Sequence, residues 1–234
     1  MLRKIGIVAI ITLLVSCAEL QQVVNQLPQG TTIGNEEIGN GLRAALDKGI
    51  AKQVSKLTET DGFYKNELVK ILLPEELRKV DKTLRDIGLD NLADEGLKVL
   101  NRAAEDAVSE ATPIFINAVK GISFNDAKAI LLGDDNAATS YLTTVTEQEL
   151  YKKFNPVIKS SFEKVGADKV WNSLINKYNS IPLTKNVNPD LTDYVTLEAL
   201  EGVYTMIAVE EKQLRTKAST RTTDLLRKVF ALQD

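Results

Sequence analysis

The chain has 234 residues, with 29 basic and 32 acidic side chains, no histidine and a single cysteine. The lack of histidine excludes imidazole acid/base chemistry, His-activated nucleophiles and His metal ligands. A lone cysteine excludes an internal disulfide and a thiolate metal cluster. Net acidity without a basic tract argues against nucleic-acid binding, because phosphate contacts need clustered Lys and Arg. No cofactor motif is visible.

Arg3 and Lys4 precede an almost unbroken apolar run from Ile5 to Val15. That run is too short to cross a bilayer, which takes about 20 residues, but it suits the hydrophobic region of a signal peptide. It ends in Leu14-Val15-Ser16-Cys17, which resembles the lipobox of bacterial lipoproteins. The resemblance implies cleavage between Ser16 and Cys17, diacylglycerol on the Cys17 sulfur and acylation of the new amine. Two or more acyl chains hold a protein stably on a membrane, whereas one does not. Ala18 follows the cysteine, and by analogy with Gram-negative lipoproteins this implies an outer-membrane anchor facing the periplasm. Residues 1–16 are thus expected to be the leader. Residues 17–34 are expected to be the lipidated cysteine and a flexible tether, since Pro28, Gly30 and Gly34 interrupt any period.

The remainder, 35–234, reads as a single all-α domain. Ile38, Leu42, Ala45, Leu46, Gly49, Val54 and Leu57 recur at helical spacing, with Gly39, Gly41 and Gly49 favouring close helix contact. Asp61-Gly62 turns the chain. Residues 67–73 are strand-like, but without a partner strand they read as an extended connector. Pro74 suits the first turn of a helix through Ile87, which Gly88 ends. A stripe of Leu, Ala and Gly from Leu89 to Ala111 predicts a helix that approaches its neighbour closely, with Asp94, Lys98, Arg102 and Asp106 as an i,i+4 ladder on the other face. Pro113 kinks or breaks it.

Ser123 and Asp126 are spaced as a capping box for a helix ending at Gly133. Asp134-Asp135-Asn136 should cap a helix through Thr144. Thr146 and Glu149 should open another through Val165, with Pro156 inside it. Trp171 belongs to a helix over 167–179, and Pro182 and Pro189 bracket a loop. From Asp190 to about Thr216 a helix is apolar nearly all round, with Val195, Leu197, Leu200, Val203, Tyr204, Met206, Ile207 and Val209, and should be central. A last amphipathic helix carries Leu225, Leu226, Val229 and Phe230. The architecture expected is a multi-helix bundle around one central apolar helix.

Several strings in order resemble a bacterial lipoprotein family known as domain of unknown function 4197. They are Asp61-Gly62-Phe63, Leu73-Pro74, Asn101-Arg102-Ala103-Ala104-Glu105, Asp126-Ala127 with Ile130-Leu131-Leu132-Gly133, Ala137-Ala138-Thr139-Ser140-Tyr141, Asp193-Tyr194-Val195 and Ala199-Leu200-Glu201-Gly202. Glu210-Glu211 with Arg215 and Leu225-Leu226 with Phe230 agree. The resemblance implies a helical exported protein and assigns no catalytic residue.

The candidate polar site comprises Asn101, Arg102, Glu105, Asp126, Glu201, Glu210, Glu211 and Arg215. Arg with carboxylates can hold a polar ligand, and carboxylates on an apolar helix can act as acids or bases. The same groups can equally tie helices together as ion pairs. Ser161-Phe162-Glu163-Lys164 matches an S-x-x-K nucleophile motif but lacks its partner motifs. Gly133-Asp134-Asp135-Asn136 fails the calcium-loop pattern. Trp171 and Tyr178 share a helix face and suit core packing over sugar stacking. Three functions are carried forward: a lipid-anchored binding or scaffolding protein of the envelope, with an envelope protein or small ligand as its partner; a carboxylate-dependent hydrolase around Glu105 and Glu201; and a carrier of a small apolar ligand.

Overall fold

The computed structural model describes residues 34–86, 90–166, 190–233 and the isolated positions 169 and 172. The leader, Cys17, the tether up to residue 33, Trp171 and most of the helix expected over 167–179 lie outside the described residues, as do Gly88 and the 182–189 loop. Eight α-helices occur among the described residues, and no strand. They are α1 (Asn35–Thr58), α2 (Glu75–Asp86), α3 (Asp90–Val108), α4 (Ala111–Gly121), α5 (Phe124–Leu131), α6 (Ala137–Val165), α7 (Thr192–Thr216) and α8 (Asp224–Phe230). The fold is an all-α bundle, as the sequence predicts.

The central position of α7 follows from its composition. It packs against α1, α3 and α6, and its apolar side chains Val195, Leu200, Val203 and Ile207 are buried. An amphipathic helix has one face to bury, whereas this one has several. The α6 and α7 axes run antiparallel. Thr139 meets Glu211 near one end, Thr146 meets Tyr204 at 2.8 Å in the middle, and Asn155 meets Thr196 at 3.3 Å near the other. Along α3 the buried apolar residues are Leu100, Ala103, Ala104, Ala107 and Val108, and the small alanines let α6 and α7 close in. Phe115 of α4 meets Tyr204 edge-on, with ring centroids 6.1 Å apart.

The small residues of α1 serve the same end. A methyl on Gly41 would lie 2.5 Å from Val229 of α8, and one on Gly49 would lie 3.1 Å from Glu210 of α7. Gly39 is different, since its nearest neighbour is the side chain of Arg43 on its own helix.

Three local expectations are corrected. The helix expected through Ala111 stops at Val108 and restarts at Ala111. Pro113 then sits in the first turn of α4, where its missing N–H costs nothing and its ring meets no preceding helical carbonyl. The two helices expected over 137–165 are one helix of 29 residues. Thr146, read as an N-cap, is buried inside it, donating to the Leu142 carbonyl at 2.7 Å. A Thr hydroxyl can bond back along a helix as readily as it can start one, so its spacing to Glu149 misleads. Leu197, counted within the apolar girth of α7, is 49% exposed.

Other expectations hold. Residues 67–69 form a turn and 70–74 an irregular connector, so the strand-like run is not a strand. Ser123 and Asp126 form a reciprocal capping box at the start of α5. The helix end expected at Val165 is where α6 ends, and Gly166 closes it in the left-handed conformation, at φ 66°.

Candidate functional site

Residues 59–74 lie between α1 and α2 and would be loose if only their own turns held them. Side chains of α3 hold them instead. Asn101, fully buried, accepts from the Ile71 N–H at 2.8 Å and donates to the Ile71 carbonyl at 2.9 Å, satisfying both polar groups of one peptide residue. Its amide also donates to the Leu97 carbonyl at 2.8 Å. The Glu105 carboxylate accepts from the N–H groups of Phe63 and Tyr64, at 3.1 and 3.4 Å, and pairs with Arg102. Arg102 reaches on to Asp61 at 2.5 Å, and Asp61 also pairs with Lys65 at 2.7 Å. The hydrogen bond from Lys65, helped by the Arg102 charge, holds the Asp61 carboxyl below the usual carboxylate range. From α7, Tyr194 donates to the Leu72 carbonyl at 2.8 Å.

The i,i+4 ladder expected on α3 does not form. Asp94 pairs with Arg85 of α2, Lys98 with Glu95, and Arg102 with Glu105 and Asp61. Asp106 accepts from Ser161 at 2.9 Å, so the hydroxyl of the S-x-x-K string serves a helix contact.

Glu210 and Glu211 are adjacent in sequence but serve different neighbours. Glu210 turns to α1, where Lys52 reaches its two oxygens at 2.8 and 2.7 Å and Gln53 donates at 2.6 Å. Glu211 turns to the start of α6. It accepts from the N–H groups of Ala138 and Thr139, at 2.9 and 2.8 Å, and from the Thr139 hydroxyl at 2.8 Å. The Asn136 side chain makes no such bond, so the expected local cap is supplied from a distant helix. A carboxylate at a helix N-terminus also gains from the helix dipole. Arg215, one turn on, pairs with Glu211 at 2.7 Å and donates to the carbonyls of Ile130 and Leu131 at the end of α5, at 2.8 and 3.0 Å. One ion pair thus caps the C-terminal end of one helix and the N-terminus of the next. Asp126 is spent on its capping box.

Glu201 is placed otherwise. With Glu147 it lines an open groove of about 490 Å³ between α6 and α7, together with Thr139, Thr143, Leu197, Leu200, Tyr204, Thr205 and Ala208. Tyr204 is pushed up to about 12, mainly by burial, with the Thr146 hydrogen bond opposing and the Glu147 charge adding. Nearby Glu198 is raised by burial and by repulsion from Glu201. Of the groove residues, the sequence singled out Glu201; nothing in its pattern marks Glu147, which depends on the α6–α7 register. Lys52 and Gln53, which meet Glu210 across the α1–α7 contact, and Asp61, which meets Arg102 across the connector–α3 contact, have no short-range pattern that marks them as partners.

Among the described residues no group of three or more His, Cys, Asp or Glu is placed to hold a metal ion, and no helix is long and apolar enough to cross a membrane. No curated protein and no solved structure matches the chain. Residues 32–231 match the family described as Protein of unknown function (DUF4197), and the chain belongs to that family.

Proposed function

We propose that the protein is lipid-anchored in a bacterial envelope, on an outer membrane facing the periplasm, and works by binding or scaffolding rather than by catalysis. The anchor reading is supported by Arg3 and Lys4, the apolar run and the Leu14-Val15-Ser16-Cys17 string. The observation that carries the binding reading is how the candidate polar groups are used. Asn101, Arg102, Glu105, Asp126, Glu210, Glu211 and Arg215 are all engaged in bonds that hold the fold. An acid/base pair of Glu105 with Glu201 is disfavoured, because Glu105 already accepts two backbone N–H groups and an arginine. A group bonded so fully has little freedom to exchange a proton with a substrate. What the bundle leaves available is a recess with an apolar floor, and a recess of that kind serves binding.

The experiment is fractionation of cells that express the full chain and its Cys17→Ala variant. The full chain should partition with membranes and carry a lipid-modified Cys17 in mass spectrometry. The variant should be released from the membrane fraction. A variant that stays membrane-bound overturns the anchor.

A further inference from the structure

We propose that the groove between α6 and α7 receives a basic amphipathic segment of another polypeptide, with its apolar side chains on Leu197 and Tyr204 and its lysine or arginine side chains against Glu147 and Glu201. This rests on the binding reading above and names the chemistry of the partner.

The floor is the first argument. Leu197 is 49% exposed although it belongs to the helix around which the bundle packs. Leu200 and Tyr204, which also line the groove, are only 3% and 9% exposed, so Leu197 carries most of its open apolar surface. A leucine open beside two carboxylates offers an amphipathic segment one apolar contact and two charged ones.

Charge is the second. Glu147 stands on α6 and Glu201 on α7, and neither has a hydrogen bond or ion pair with any described residue. The carboxylates at the other helix contacts are answered: Glu210 by Lys52, Glu105 by Arg102, Glu211 by Arg215. Glu198, on the same helix as Glu201, is raised first by burial and then by repulsion from Glu201. Both groove carboxylates are exposed and hydrated, and so are open to a cation that a partner brings. Complementary charge across an interface steers encounter and fixes register.

Shape decides between a small cation and a chain. A pocket for a small molecule encloses most of its ligand's surface. This groove is open along its length, bordered by two antiparallel helices. From Thr139 to Glu147 it extends about 12 Å at the helical rise, or roughly two turns. That length takes the anchor side chains of a docked helix at i, i+3 or i+4.

The test uses the full chain and a fluorescein-labelled peptide, Leu-Lys-Lys-Leu-Leu-Lys-Lys-Leu, followed by fluorescence polarisation at low and high salt. The wild type should bind it, and added salt should weaken binding. Glu147→Gln with Glu201→Gln should weaken it at least tenfold, and Leu197→Ser should weaken it as well. Glu59→Gln with Glu163→Gln, which removes the same charge from exposed sites elsewhere, should leave it unchanged. A peptide with Glu in place of Lys should not bind. The proposal is overturned by no binding, by equal loss in the two double variants, or by equal binding of the Glu peptide. Displacement by an equal charge of spermidine would reassign the groove to a small cation. Self-association of the chain that Leu197→Ser abolishes would reassign it to a second copy. Each of these leaves the Cys17 fractionation untouched, so failure of the groove and failure of the anchor are told apart.

Discussion

The Glu211–Arg215 clamp and the α6–α7 groove lie on the same central helix, and both contain glutamates. At the clamp each polar atom of the pair meets a partner: two helix N–H groups, a hydroxyl and three carbonyls of the preceding chain. At the groove Glu201 and Glu147 meet none among the described residues. Burial explains the contrast. A carboxylate out of water must be paired and hydrogen-bonded or it destabilises the fold, whereas one at an open recess keeps its hydration. Helix position alone therefore does not tell a structural glutamate from an available one.

The sharpest way to break this comparison is to remove half of the clamp. Glu211→Ala leaves the Arg215 cation buried and the first N–H groups of α6 without an acceptor. The expected loss is about 3–5 kcal/mol of unfolding free energy in urea titration. A loss below about 1 kcal/mol would mean that the clamp is not what joins α5 to α6. Next in size is Asn101→Ala, which orphans the N–H and carbonyl of Ile71. It should cost about 2–3 kcal/mol, with faster amide exchange confined to residues 61–73. Uniform exchange across the bundle would show that the anchor acts globally. Gly202→Ala comes third. A methyl there would lie 2.6 Å from Phe63 and 3.3 Å from Val69, so the anchored loop must shift. Overpacking of this kind costs about 1–3 kcal/mol, read as a lower Tm.

These predictions also mark what the sequence makes legible. The all-α class, the central apolar helix and the Ser123–Asp126 box are local or periodic properties, visible in composition, spacing and capping chemistry. The Glu211–Arg215 pair is legible too, because four residues separate its members on one helix. Its purpose is not, since the N–H groups and carbonyls it serves belong to α6 and α5. Arg102 shows the same limit from the other side: it has carboxylates three and four residues on, and the structure uses Glu105 while Asp106 goes to Ser161. The groove was the least legible. Glu147 and Glu201 are brought to one recess by the antiparallel register of α6 and α7, which no short-range pattern encodes. Thr146, misread as a cap, is the residue that bonds Tyr204 in that register.

The groove predicts effects that are small and opposite in sign. Glu198 is raised above its ordinary value by burial and by Glu201. A carboxylic acid raised in the folded state disfavours folding once ionised, and that penalty is relieved as pH falls toward the acid's ordinary value. Glu201→Gln should therefore hold or slightly raise the Tm at pH 7, with a gain that shrinks as pH falls toward the ordinary value of 4.5 and is gone below it. A lower Tm would place Glu201 with the structural glutamates and dissolve the contrast between the two regions.

Tyr204 gives the finest test, at the alkaline end. Its folded pKa is pushed up to about 12 from an ordinary value of 10.0. Because the folded state favours the neutral phenol, the stability it contributes is fully present below the ordinary value and is lost as pH rises through the folded one. The wild type should therefore lose stability between about pH 10 and 12. Tyr204→Phe removes the titrating group but keeps the edge-on ring contact with Phe115. Thr146 still donates to the Leu142 carbonyl, so the cost at pH 7 should be no more than about 1 kcal/mol. Comparing urea midpoints of the two proteins at pH 7 and pH 11 isolates the phenol, and the gap between them should narrow or reverse at the higher pH. A gap that stays constant would mean that water reaches the hydroxyl through the groove, so that the recess runs deeper than its lining suggests.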